Sequence, residues 1–413
     1  MKSTKNRARF SRLRPVHPFP ARMAPEIALA GLKSSRKLRV LDPMAGSGTS
    51  IILARILGHI AVGYDQDPLA LLIARTWCSR ASESGLRAAL ANTVSAAKSR
   101  WATFDPYPCA ADSDTKRFVR YWFDLKTRKK LAALAAEISG YEHRVLRTQL
   151  WCAFSRLIIV KDNGVSLARD VSHSRPHRSY ERAPADPFVL FSTAGEYIIK
   201  SLAALPRSSG TVRLEKGDAR NLPTKTGSID LVITSPPYLN AIDYLRGHKM
   251  SLVWMGHGVK QLREMRSNAV GAEIGHREIP GELRSAKLAI GRVPDLHPRI
   301  DRMINKYIVD MNLVIGEIAR VLRPRGKAVL VIGNSTLRGA FLKNSDLMIE
   351  LGRINGLSLA KWQRRRIPVS KRYLPPPSSQ TSLMPLSSRM RTEVVLTFHK
   401  TVSKRRNFLP AAR

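Results

Sequence analysis

Residues Leu38–Leu57 read LRVLDPMAGSGTSIILARIL: a short apolar run, a turn with two glycines and a second apolar run. Leu38, Val40 and Leu41 form a strand that stops at Asp42, and Ile51–Leu57 has the spacing of a helix. Gly46 and Gly48 let the backbone approach a ligand, while Ser47, Thr49 and the helix N-terminus offer donors suited to a carboxylate. A P-loop is disfavoured because Thr49, not Lys, follows the last glycine. A dinucleotide loop lacks its third glycine.

Ile60–Tyr64 reads as the next strand and delivers Asp65 and Asp67 before a helix at Pro68. Asp65 is placed to accept from both hydroxyls of a ribose, and Asp67 to cap the Pro68 helix. A third strand, Val212–Lys216, is followed by GDARNLP with Asp218 at its tip; a plain turn residue is the competing reading of Asp218.

The stretch Ile229–Tyr244, IDLVITSPPYLNAIDY, holds the chemistry. A buried strand over Leu231–Ile233 ends at Thr234 because Pro236 and Pro237 cannot donate to a ladder. The tip is rich in acceptors: the Ser235 hydroxyl and carbonyls stiffened by two prolines. Tyr238 adds a flat ring. An exocyclic amino group on a nucleobase needs acceptors for its hydrogens and a surface for its ring.

TSPPY resembles the catalytic motif of the DNA amino-methyltransferases, DPMAGSGT at Asp42–Thr49 their S-adenosylmethionine loop, and HPFPARMAP at His17–Pro25 the cofactor motif before it. The resemblance implies a Rossmann-like class I methyltransferase fold, α/β with a mostly parallel seven-stranded sheet, and S-adenosylmethionine as cofactor. The cofactor-binding set is then Arg22, Asp42, Gly46, Ser47, Gly48, Thr49, Asp65 and Asp218, with Met23 and Pro25 as further wall candidates. Ser47, Thr49 and the helix N-terminus would face the methionine carboxylate, and Asp218 the adenine amino group. The catalytic set is Ser235, Pro236, Pro237 and Tyr238, with Ser235 and the Pro236 carbonyl accepting the target amine's hydrogens.

The Ser form of the motif is most frequent in enzymes that methylate cytosine N4, so that base comes before adenine N6. An RNA methyltransferase and a binding protein with an inactive methyltransferase fold are the other readings. A duplex base must be flipped out to reach such a site. A companion restriction enzyme is the partner that the resemblance suggests. C5 methylation would need a cysteine nucleophile, and the Pro108–Cys109 pair falls in an insertion, not at a strand tip.

The 413-residue chain carries 70 Lys and Arg against 31 Asp and Glu, a net charge of +39 that points to DNA or another polyanion. Cys78, Cys109 and Cys152 form no CxxC pair, which fits a reducing cytoplasm and no zinc site. His173 and His177 have helical zinc spacing, but Pro176 and the lack of further ligands argue against metal. No apolar run is long enough to span a membrane.

Residues 1–15 are a basic arm, 16–78 and 211–413 the catalytic domain, and 79–210 an inserted, largely helical subdomain. In the insertion, Lys126, Arg128, Lys129 and Lys130 form one basic cluster, and SLARDVSHSRPHRSYERAP reads as a groove-entering loop. Asn240–Trp254 reads as a helix with Asp243, His248 and Lys249 lining the approach to the base. The region 256–300 is irregular and a candidate for target recognition. Beyond it come a helix over Arg302–Leu322, a strand over Ala328–Ile332, a helix over Leu347–Leu351, a loop with YLPPP and RMR, and an antiparallel strand over Glu393–Phe398.

Overall fold

The computed structural model describes residues 13–20, 22–206, 208–239, 243–272, 278–291, 297–337, 340–367 and 392–401. Most of the basic arm, YLPPP at 373–377 and RMR at 389–391 lie outside the described residues.

Seven strands build the main sheet: β1 Arg39–Asp42, β2 Ile60–Asp65, β3 Thr211–Lys216, β4 Ile229–Thr234, β5 Leu322–Ile332, β6 Leu357–Arg366 and β7 Thr392–Lys400. Their spatial order is β6-β7-β5-β4-β1-β2-β3. β1 to β5 pair in parallel, with Leu41 opposite Val62, Val40 opposite Leu231 and Ile233 opposite Val329. β7 runs antiparallel between β5 and β6. The mostly parallel, seven-stranded α/β sheet is the one that the resemblance of the motifs implies. The winding reverses between β1 and β4, which puts the ligand crevice at their carboxyl ends.

The central strands are apolar on both faces because both are covered. On β4, Leu231 and Ile233 enter one apolar cluster and Val232 the other; on β5, Val329 and Val331 oppose Ala328, Leu330 and Ile332 in the same way. Helices Pro298–Val321 and Asn344–Ile354 close the second cluster, the former through Ile304, Ile308, Met311, Ile315 and Ile318. Helices Pro25–Gly31, Thr49–Ile56 and Pro68–Cys78 cover the first.

Residues 79–210 hold five helices, Glu83–Arg100, Ser113–Trp122, Leu125–Ser139, Arg144–Ile158 and Pro187–Ala203. Each starts at a side chain that accepts from an unpaired N–H of the first turn: Ser82, Asp112, Asp124, His143 and Asp186 in order. Leu90, Leu134, Phe154 and Phe191 bury into the cluster that β1 and β4 share, so these helices form a layer packed on the sheet.

Several sequence expectations are corrected. The region 256–300 holds helices Val259–Ser267 and Arg284–Ala289, whose one-sided burial is too sparse to show as periodicity. The helix expected at Arg302 begins at Pro298, and its strand begins at Leu322, running through Pro324 and Gly326. β6 was not expected at all, since nearly all its residues are exposed and no apolar alternation marks it. The groove-entering loop contains a two-stranded hairpin, Ala168–Arg169 with His177–Arg178.

The basic cluster of the insertion also divides. Lys130 is buried, pairs with Asp186 and lies 5.3 Å from the centres of both the Trp101 and Phe188 rings. Lys129 donates to the Ala102 carbonyl at 2.6 Å, and Arg128 lies 5.3 Å over the Tyr107 ring.

Gly48 is fixed by packing. Its φ is 83°, and an added Cβ would come within 2.8 Å of the Ala74 Cβ on the Pro68–Cys78 helix. Gly48→Ala should therefore cost about 1–3 kcal/mol, seen as a lower urea midpoint. A wild-type midpoint would mean that this helix does not press on the loop in solution.

Candidate active site

The carboxyl tips of β1 to β4 open onto a cavity of about 510 Å³. Arg22, Met23, Asp42, Gly46, Ser47, Thr49, Asp65 and Asp218 of the expected cofactor set line it, as do Ser235, Pro237 and Tyr238 of the catalytic set. The two motifs, almost 190 residues apart in sequence, thus share one chamber. Gly48 and Pro236 are not on its wall; Pro236 is buried, and Gly48 serves the helix contact described above.

Asp65 organises the end of the cavity at the glycine turn. Its Oδ2 accepts from the Gly46 N–H at 2.8 Å and its Oδ1 from the Asp67 N–H at 2.9 Å. Burial, with the Asp67 charge beside it, pushes the Asp65 carboxyl up to about 7. Asp42 is buried under the same loop, accepts from the Ser50 hydroxyl and from the Met44 N–H at 3.1 Å, and is pushed up to about 6 by burial. Gly46 has φ 50°, and a Cβ there would lie 3.4 Å from the Phe19 ring. Asp67 caps the Pro68–Cys78 helix as expected, accepting from the Leu69 N–H.

Asp218 is held by Arg220, whose Nη2 approaches it at 2.7 Å. Burial alone would raise its pKa, but the hydrogen bonds and charge of Arg220 prevail and hold it below the usual carboxylate range. Arg220 also donates to Asp310 at 2.9 Å and to the Asn268 carbonyl at 2.8 Å. Gly271 N–H reaches the same Asp310 at 3.2 Å, so β3's tip, the 268–272 segment and the Pro298–Val321 helix meet at one guanidinium and one carboxylate.

At the TSPPY tip, the Ser235 hydroxyl donates to the Val331 carbonyl at 3.1 Å, with the Tyr238 hydroxyl 3.4 Å away. The Tyr307 hydroxyl donates to the Pro237 carbonyl at 2.9 Å. Burial pushes the Tyr238 phenol up to about 12 and raises that of Tyr307, so both keep their protons at neutral pH.

The residues expected to line the approach to a base are placed differently. Asp243 lines the cavity and pairs with Arg266 at 2.7 Å. His248 instead is buried, with Nδ1 2.5 Å from Asp67, and Lys249 lies 4.8 Å over the Phe118 ring; neither lines the wall. The sequence missed Phe19, which stacks on Tyr244 at 5.4 Å, and Arg263, Met265 and Arg266 on the wall. Tyr307 carried a signal: a hydroxyl-bearing ring beside Ile304 and Ile308 on the buried helix face needs a partner. Among the described residues, no group of three His, Cys, Asp or Glu could hold a metal, and no helix is long and apolar enough to cross a membrane.

No protein-family model matches the chain. It is 20% identical to the type II methyltransferase M.MvaI of Kocuria varians over 426 residues, spanning 94% of this chain and 91% of that one. It is 24% identical to the type II methyltransferase M.AvaI of Nostoc sp. over 151 residues, 32% and 31% of the two chains. Among solved structures, a SAM-dependent methyltransferase of Methanosarcina mazei superposes with a TM-score of 0.33 at 9% identity, covering 89% of this chain and 95% of that one.

Tyr307→Phe leaves the Pro237 carbonyl without its donor. The folded state should lose about 1–3 kcal/mol in urea unfolding, with the sheet intact by circular dichroism. No loss would mean that water replaces the hydroxyl.

Proposed function

We propose that this chain methylates an exocyclic amino group of a DNA base, cytosine N4 before adenine N6. S-adenosylmethionine is the cofactor, and its sulfonium supplies the methyl group as an electrophile. The wall residues fit it. Gly46 leaves room where a side chain would meet Phe19, and Ser47 and Thr49 offer donors near the loop. Each Asp65 oxygen takes one backbone N–H and keeps a lone pair for a ribose hydroxyl. Asp218, kept ionised by Arg220, can accept from the adenine amino group.

The observation that carries the reading is the orientation of Ser235. Its one hydroxyl proton is committed to Val331, so the oxygen offers lone pairs to the cavity. The lone pair of a base amine is conjugated with its ring and is a poor nucleophile. Accepting one amine hydrogen at Ser235 Oγ favours a pyramidal nitrogen, and alignment supplies much of the rest. Tyr238 stacking, worth about 1–3 kcal/mol, offsets part of the few kcal/mol needed to extrude a base.

C5 chemistry finds no nucleophile here: Cys109 is exposed in the insertion, and burial pushes Cys78 and Cys152 up to about 12. A methyltransferase named type II aligns with nearly the whole chain, which supports the reading of a methyltransferase acting on DNA; a companion restriction enzyme is part of the same proposal. On this reading residues 16–78 and 211–413 carry the catalysis, and 79–210 and 256–300 meet the nucleic acid.

Incubation with labelled S-adenosylmethionine and mixed DNA or RNA should yield N4-methylcytosine in DNA. N6-methyladenine would reassign the base, and label confined to RNA would overturn the substrate. Ser235→Ala should lower kcat about tenfold or more, with cofactor affinity nearly unchanged; equal loss of both would make Ser235 structural.

Asp65 must be ionised for both of its oxygens to accept from ribose hydroxyls. With its carboxyl at about 7, cofactor affinity should fall as pH drops below that value and level off above it. Asp65→Asn should bind weakly and lose this dependence. A wild-type affinity in Asp65→Asn would remove Asp65 from ribose binding.

A further inference from the structure

Two helices meet at the mouth of the cavity with an excess of positive charge. Tyr244–Leu252 carries Arg246 and Lys249, and Val259–Ser267 carries Arg263 and Arg266. Arg263 and Arg266 line the same cavity as Ser235 and Tyr238. Two carboxylates answer these four cations among the described residues: Asp243 pairs with Arg266 at 2.7 Å and Asp114 with Arg263 at 3.3 Å. Asp114 is also shared with Arg117 at 3.9 Å. Arg246 and Lys249 make no ion pair with a described residue, and Glu264, the acid on the second helix, pairs with none of the four.

Like charges crowded without counterions repel, and the effect is visible at Lys249. Its pKa is lowered first by burial, then by the charges of Arg263 and Arg266, with Asp243 opposing. The ammonium has the Phe118 ring at 4.8 Å in place of an acid. Such a cluster is stabilised by an incoming anion, and its position selects which one. The carboxylate of the cofactor is provided for at the Gly46–Thr49 loop, and the mouth lies where a polymer would cross as one of its bases enters.

We propose that Arg246, Lys249, Arg263 and Arg266 form a phosphodiester-binding patch that holds the DNA backbone beside the extruded base. This rests on the reading of DNA as the substrate. Phe118 and Asp114 come from the insertion, and Arg263 and Arg266 from the 256–300 region, so the patch joins the two segments that otherwise lack a role in the chemistry. Because phosphate contacts position without reading sequence, the patch sets register for the base while specificity lies elsewhere.

The test is the salt dependence of duplex binding by the full chain, with S-adenosylmethionine affinity measured alongside. Arg246→Ala and Lys249→Ala combined, neither on the cavity wall, should flatten the slope of log affinity against log salt by about two units and weaken binding more than tenfold at low salt. Cofactor affinity should stay within about twofold, which also reports that the variant is folded. Wild-type slope and affinity in the variant would overturn the patch and leave DNA methylation standing. Parallel loss of cofactor affinity, with a wild-type circular dichroism spectrum, would overturn it by assigning the cations to the cofactor. A wild-type chain that binds cofactor but no DNA would overturn both the patch and the reading beneath it.

Discussion

The carboxylate of Asp65 is the interaction on which the ligand edge of the sheet depends. Its two oxygens accept from Gly46 and Asp67, while the Ala45 N–H reaches the Tyr64 carbonyl at 2.9 Å. The glycine turn after β1 is thereby tied to the tip of β2, and the start of the Pro68–Cys78 helix is fixed to the same point. Backbone N–H groups that would otherwise be orphaned at a strand end are satisfied by one side chain. Burial raises its pKa towards neutrality, which is the electrostatic cost of holding an anion in a closed crevice.

The other half of the cavity is braced from the opposite layer. The Pro298–Val321 helix sends Tyr307 to the Pro237 carbonyl and Asp310 to Arg220 and Gly271. It therefore positions both the TSPPY tip and the segment that covers the mouth, while its apolar face closes the second core. Across the sheet, His17 Nε2 and the Ser155 hydroxyl are 3.0 Å apart, which anchors the HPFPARMAP motif to the insertion. Burial and the Arg156 charge hold the His17 pKa well below its ordinary value, so it serves as a neutral hydrogen-bonding group.

The parallel strands and their tips were legible in the sequence because each couples an apolar run to a turn residue with few alternatives. Asp42, Asp65, Asp218 and Ser235 come together as the strand pattern predicts. The exposed strand β6 left no trace, since alternation appears only where one face is buried. The mouth was illegible for a related reason: Arg263 and Arg266 sit on a helix with only Val259 and Leu262 buried, and their partners Asp114 and Asp243 are distant in sequence. Lys130 misled in the opposite sense. A lysine run suggests a solvated face, yet its last member is drawn inward by Asp186 and two aromatic rings.

The placement of the acids bears on how so basic a chain is held together. The acids are few, 31 in all, and many are consumed by the fold. Asp67, Asp112, Asp124 and Asp186 cap helices, Asp42 and Asp65 hold the glycine turn after β1, and Asp310 balances Lys306 at 2.6 Å as well as Arg220. Many carboxylates are therefore placed where backbone N–H groups and buried cations need them. At the cavity mouth the division of labour is local: Asp243 and Asp114 are already paired to Arg266 and Arg263, while Arg246 and Lys249 make no ion pair with a described residue.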